Sequence, residues 1–311
     1  MANVAAGTTW NLPNYIGEIF TASPLQTPVL QMAGGLNGVK QTDNFEFAVD
    51  QTYAHEAASQ PAITETASLT APTAISYVRA QDKNVCQIFQ EQVSISYEKM
   101  ANGGRLSGIA TSGQVANPVS EKDWQIAKAL EKIARDVEYS FIQGAYQIST
   151  NAGVANKTRG LNASVATTIG ASSASLTKAL IDQLLREMYA AGAVFMNPVF
   201  VVNAFQKQMI SNIYGYAPTD RNVGGLNIKQ IETDFGNLGV VLDQFQSTST
   251  LLVADMAFVS AVSQPVAGKG HLFYEDLAKT GAAESGQIFG KIGLDHGPSF
   301  MHGTITSLAT S

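Results

Sequence analysis

Charge is scarce in this sequence. Asp, Glu, Lys and Arg make up only 14% of the residues, against about 25% in an average soluble protein. A stable monomer normally carries more charge on its surface. The shortage, with so much Ala, Ser, Thr, Gln and Gly, points to surfaces buried against other chains. Cysteine is nearly absent. Cys86 stands alone, which excludes an intrachain disulfide and a zinc box and leaves a small strand residue. No apolar run approaches the roughly eighteen residues a membrane span needs. The N-terminus, MANVAAGTTWNLPNYIGEIF, has no basic segment followed by an apolar one, so it does not read as a signal peptide. The sequons at Asn156 and Asn162 therefore carry no weight, and the reading is a protein made in the cytosol. A basic stripe is missing as well. The 19 Lys and Arg are scattered and the net charge is −6, which excludes a groove that grips nucleic acid, though an acidic protein can still enclose it.

What is present is a globular composition. The chain has 311 residues, 45% of them hydrophobic, enough for a large core and one or two domains. Residues 1–40 are broken by Pro13, Pro24, Pro28 and the Gly34-Gly35 pair, and read as an extended arm with short helical pieces. Such an arm is ordered only by lying on something, its own body or a neighbour. Alternation in Phe45, Phe47 and Val49, and again from Val85 through Tyr97, predicts strands over 41–97. Between them lies a long polar stretch, 54 to 75, whose only large apolar residues are Ile63, Leu69 and Ile75. It reads as a hairpin that leaves the body, too poor in apolar residues for a core of its own.

The strongest helix runs from Glu121 to Gln143. Ser120 is placed to cap it, with Asp123 three residues on. Ile126, Leu130, Ile133, Val137 and Phe141 make one apolar stripe, Glu131 and Arg135 are paired four apart, and Gly144 offers a stop. Residues 149–175 read as a linker. A second helix is expected near 176–190, with Leu176, Leu180, Ile181, Leu184, Leu185 and Met188 as its stripe and Gly192 at its end. Pro198–Val202 reads as a strand buried on both faces, followed by a helix over 204–213. Gly239–Leu242 and Thr250–Val253 read as strands, and the last segment as two strands joined by a turn at Gly297-Pro298.

Several motifs hint at chemistry. Asp234-Phe235-Gly236 has the tripeptide that positions magnesium in protein kinases, but no His-Arg-Asp occurs anywhere, and only His55 of the four histidines precedes Asp234. The simpler reading is a turn, with Asp234 and Gly236 as turn formers. Ala267-Gly268-Lys269-Gly270 resembles the end of a phosphate loop, yet Ser263 stands where that loop needs Gly and Gly270 where it needs Ser or Thr. Asp295, His296 and His302 could be metal ligands, but the two histidines are six apart across a turn, which favours structural positions. No Gly-x-Ser-x-Gly elbow is present. The expectation is no catalytic site, no cofactor and no metal.

In order along residues 84–305 come "NVCQIFQEQVSIS", "EKIARDVEYSFIQGA", "LTKALIDQLLREMYAAG", "VVNAFQKQMIS", "IETDFGNLGVVLD" and "LAKTGAAESGQIFGKIGLDHGPSFMHGTI". Together these blocks resemble the major capsid proteins of tailed bacteriophages with the α+β Hong Kong 97-like fold. The resemblance implies an N-terminal arm at 1–40 and an extended loop hairpin with its flanking strands at 41–95. It implies a peripheral domain at 96–171 with a spine helix at 118–146, an axial domain at 172–265, and strands at 266–311 returning to the peripheral domain. It also implies hexamers and pentamers in an icosahedral shell around double-stranded DNA, held without sequence-specific contacts. Portal, scaffolding and decoration proteins are the implied partners, no membrane is involved, and assembly would take place in the bacterial cytoplasm. Since the chain opens at the arm, scaffolding is expected from a separate protein or a segment already cleaved. Lys83, at the hairpin base, is a poor candidate for the loop cross-link that some relatives make. Two other homo-oligomeric classes stay open: an encapsulin-like nanocompartment shell and another virion part such as a tail tube, the latter disfavoured by the long helix.

Overall fold

The 23-residue helix lies where the apolar stripe puts it. A computed structural model describes residues 26–36, 40–98, 121–214, 219–223, 226–279 and 281–310. The proposed cap at Ser120 lies outside these residues. Within them the chain forms α1 (Pro28–Met32), β1 (Lys40–Gln41), β2 (Glu46–Tyr53), α2 (Glu65–Ser68), β3 (Arg79–Val85) and β4 (Gln87–Ser96). Then come α3 (Glu121–Gln143), β5 (Thr167–Gly170), α4 (Lys178–Ala190), β6 (Pro198–Val202), α5 (Ala204–Tyr214), β7 (Thr219–Val223), β8 (Leu226–Thr233) and β9 (Gly236–Leu242). Last are β10 (Leu251–Asp255), β11 (Ser260–Ser263), β12 (Leu272–Asp276), β13 (Ala283–Asp295) and β14 (Gly303–Thr306).

Three sheets result. The largest runs β5-β14-β10-β6-β9-β8-β7, with parallel pairing at β5/β14 and β6/β9 and antiparallel pairing elsewhere. A second is built on the 13-residue β13, which pairs with β4 on one side and with β12 and β11 on the other, β1 extending it beyond β11. The third is the two-stranded ribbon β2/β3.

The seven-stranded sheet divides two hydrophobic cores, and strand periodicity does the sorting. From β6, Val199 and Val201 enter one core and Phe200 and Val202 the other; from β10, Leu252 and Ala254 go one way and Leu251 and Val253 the other. This is why Pro198–Val202 reads as unbroken apolar sequence: both of its faces are covered. The first core adds Ile133, Val137 and Phe141 of α3, with Phe89, Ile288 and Ile292 from the β13 sheet. The second adds Ile181, Leu184, Leu185 and Met188 of α4, which Thr177 caps through a bond from Leu180 N–H at 3.4 Å. Gly192, at φ +97°, ends that helix in the left-handed region, where glycine is favoured. No helix among the described residues is long and apolar enough to cross a membrane.

Two readings change, and one left open is decided. The stretch 149–175 is more than a linker, since β5 joins the large sheet there and Leu161 is buried in a 3₁₀ turn. A four-residue strand gives no usable local periodicity; its partner β14 lies more than a hundred residues away in sequence. The last two strands share a turn but not a sheet: β13 pairs with β4, β11 and β12, whereas β14 lies between β5 and β10. Part of the arm, finally, lies on its own body. Val29, Leu30 and Met32 of α1 are buried in the first core, and Ala261 N–H donates to Ala33 O at 2.8 Å.

Candidate functional site

Among the described residues, most of the ribbon lies outside both hydrophobic cores. Its ladder pairs Glu46–Tyr53 with Arg79–Val85, with a bulge between Ala48 and Asp50. Between the two strands the chain turns back through α2, whose first turn is capped by Thr64. Every residue from 54 to 78 is exposed; Ile63, Leu69 and Val78 reach 71%, 84% and 80%. Tyr53, His55 and Tyr77 cluster on the ribbon, with centroids 4.8–6.4 Å apart. Neither outer edge of β2/β3 is paired among the described residues. Unpaired edges and exposed apolar side chains together invite strand addition by another chain.

The root of the ribbon, by contrast, is clamped. Asn84 is fully buried and uses its whole hydrogen-bonding capacity. Its Nδ2 donates to Leu294 O (2.6 Å) and Arg159 O (3.1 Å), and its Oδ1 accepts from Arg159 N–H (2.8 Å) and Val85 N–H (2.9 Å). The Arg159 guanidinium donates to both oxygens of Asp82, at 2.7 and 3.0 Å, and packs on the Tyr146 ring. Phe47 lies against Gly293, where a Cβ would stand 2.9 Å from both its ring and Val85 O. The clamp fixes the direction in which the ribbon leaves. Replacing Asn84 with Ala strands buried backbone groups and is expected to cost about 3 kcal/mol, measured as a lower urea midpoint. Residue type gives Asn84 away only weakly, as an Asn inside a strand.

The candidate chemical motifs take the following places in the structure. Asp234 and Phe235 form the two-residue turn between β8 and β9, where Thr233 pairs with Gly236. Thr233 Oγ1 donates to Gly236 O at 2.8 Å and accepts from Phe235 N–H at 3.3 Å. Phe235 packs beside Tyr189 and Phe195, and Asp234 points to solvent. The loop 267–270 is closed by a bridge between Val266 and Gly270, and Lys269 pairs with Glu275 at 2.6 Å.

His296 and His302 do come together, each as a buried neutral ring. His302 Nε2–H donates to His296 O and its Nδ1 accepts from Asp255 N–H. Burial pushes the His302 ring down to about 4 and His296 in the same direction. Asp255 is spent on the N–H groups of Met196, Asn197 and Ala257, at 2.7–3.0 Å. Asp295 takes Gly297 N–H and the Lys40 ammonium. Among the described residues no group of three or more His, Cys, Asp or Glu is placed to hold a metal ion. Burial pushes the Cys86 thiol up to about 12, keeping it protonated and unreactive. Lys83 sits at the ribbon base opposite Ala48 and pairs with Glu46 at 3.5 Å.

The body of two sheets, the one long helix and the projecting ribbon together have the Hong Kong 97-like capsid fold. Solved structures share that fold at low identity. The capsid of cyanophage A-1(L) superposes with a TM-score of 0.68 at 13% identity, covering 98% of this chain and 99% of that one. The capsid of Myoviridae phage XM1 gives 0.59 at 12%, covering 95% and 97%. An encapsulin from Synechococcus elongatus gives 0.59 at 11%, covering 96% and 93%. No curated protein sequence matches the chain. Residues 2–309 match the SU10 major capsid protein model, and the chain belongs to that family. It is a major capsid protein, a component of the virion shell.

Proposed function

We propose that copies of this chain form hexamers and pentamers that close into the icosahedral head of a tailed bacteriophage around double-stranded DNA. The observation that carries the proposal is the ribbon: clamped at its root and, among the described residues, uncovered beyond it and unpaired at both edges. Strand pairing by the ribbon and many modest contacts elsewhere would hold the shell through multivalency. Residues 1–40 serve as the arm, 41–95 as the extended loop, 96–171 as the peripheral domain with its spine at 118–146, and 172–265 as the axial domain. Residues 266–311 return to the peripheral domain, apart from β14, which pairs within the seven-stranded sheet.

The role is structural and not enzymatic, and no residue is assigned to catalysis, cofactor or metal. DNA is enclosed without sequence-specific contacts, since a net charge of −6 leaves the duplex free to slide during packing. Portal, scaffolding and decoration proteins are the partners such a head takes, and assembly takes place in the host cytoplasm. The encapsulin likeness in fold supports a second reading, a nanocompartment shell, which the family match makes the weaker one. Electron microscopy and nucleic-acid extraction of the source particle separate them. Closed shells with nuclease-resistant duplex DNA are expected; shells filled with protein cargo and free of DNA would favour the nanocompartment.

A further inference from the structure

Glu138 is a buried carboxyl in the last third of α3, a position where an ionised side chain is expensive. It is fully covered, and both of its oxygens are used. Oε1 accepts from Val29 N–H at 2.8 Å and Oε2 from Leu30 N–H at 2.6 Å. These are donors of the first turn of α1, which no side chain of its own caps. A second buried carboxyl, Asp243, lies just past β9. Its backbone N–H donates to Val202 O (2.9 Å) and its Oδ1 accepts from Phe245 N–H (2.7 Å). Asp243 Oδ2 is buried with no hydrogen-bond partner among the described residues. The chain just after it lies on α3, where Gln143 donates to Phe245 O at 3.2 Å and the Tyr139 ring stands edge-on to Phe245, and Asp243 is near enough to raise the Glu138 carboxyl. Two neighbouring carboxylates out of water cannot both be charged cheaply, so one proton between them is the stable state.

We propose that Glu138 and Asp243 form a proton-sharing latch that fastens the α1 segment and the C-terminal end of β9 to the long helix, and that the latch weakens as its proton is withdrawn. Three parts of the fold meet at this pair. Titratable groups that could compensate it are few. α1 has no titratable side chain, and the 3₁₀ turn at Leu161–Ala163 has none either. The polar side chains bonded to one another nearby, Gln143, Asn162 and Gln246, are amides. β4 and β13 pack on α3 too, but their carboxylates Glu91 and Glu284 are held by Lys132 and Lys122. β8 brings Glu232, which is exposed. On α3 itself Arg135 lies one turn before Glu138.

Burial, first, and the neighbouring Asp243 push Glu138 up to about 9, and burial raises Asp243 as well. Closing the latch therefore takes up a proton. Its grip is strongest below the ordinary carboxylate value and declines as pH rises, until about 9, where the closed pair also ionises.

Hydrogen–deuterium exchange of the full chain tests this. Protection of residues 26–36, referenced to intrinsic exchange at each pH, is measured at pH 6, 7.5 and 9, with α4 as internal control. In the wild type it should fall by up to about tenfold per pH unit while α4 stays protected. Glu138→Gln has no proton to lose and can donate to Asp243, but its single amide oxygen accepts from only one of the two N–H groups, so its protection should start lower and vary little with pH. Asp243→Asn is a second variant that should flatten the profile while leaving both N–H bonds to Glu138 in place. Flat protection in the wild type would overturn the proposal. So would equal slopes in the wild type and whichever variant folds, or loss of α4 protection together with α1.

Discussion

A chain lacking residues 55–74 folds, stays soluble and builds no closed shell. The segment removed contributes nothing to either core, since every residue in it is exposed. The β2/β3 ladder, Asn84, and the Asp82–Arg159 pair all remain. Shortening the loop also lowers its closure entropy by a few tenths of a kcal/mol, so the urea midpoint should stay within about 1 kcal/mol of the parent. What goes is the exposed surface around Ile63 and Leu69 that a neighbouring copy would cover. Each contact is modest, but a shell multiplies it over every subunit, and a small loss per copy becomes loss of closure. Sedimentation and negative-stain microscopy read the outcome. Normal shells from the shortened chain would rule out a role for the 55–74 loop in assembly.

The second large effect concerns a single methyl group. Gly144 follows the last residue of α3, and a Cβ there would stand 2.3 Å from Ser140 O and 2.5 Å from Thr158 O. Gly160 faces it, and a Cβ at that position would stand 2.6 Å from Gly144 N. Between them Gly160 N–H donates to Gly144 O at 2.9 Å. The obstructing atoms are backbone, so no rotamer change relieves the collision. Gly144→Ala must push the 157–160 segment off the helix end, and with it Thr158 and Arg159, which hold Leu294 and Asp82. The expected cost is at least about 3 kcal/mol, seen as a melting temperature lower by roughly 6 °C or more. A neutral Gly144→Ala would mean that the close approach is not part of the folded state.

The two glycines mark the border between what can be read from residues and what cannot. A helix stop at Gly144 is legible, because glycine after an amphipathic run is a familiar end signal. That it is a glycine because another segment passes within a hydrogen bond of it is not, since Gly160 comes sixteen residues later in a stretch that looks like a linker. Similar reasoning covers Asp234-Phe235-Gly236. Turn formers between apolar strands identify the turn, and the missing partner motifs make a kinase untenable; the packing of Phe235 against Tyr189 and Phe195 belongs to the folded chain alone.

Periodicity alone determined the long helix, the α4 stripe, the doubly buried β6 and the ribbon that finds no core, because each is a local pattern repeated over many residues. The tertiary structure alone decided that β13 and β14 part into different sheets and that β5 is a strand at all. It alone placed Asn84 at the ribbon root and two carboxyls, more than a hundred residues apart, in one buried neighbourhood. Short strands draw their stability from distant partners, and a buried polar group draws its meaning from whatever is bonded to it. Neither is written in neighbouring residues.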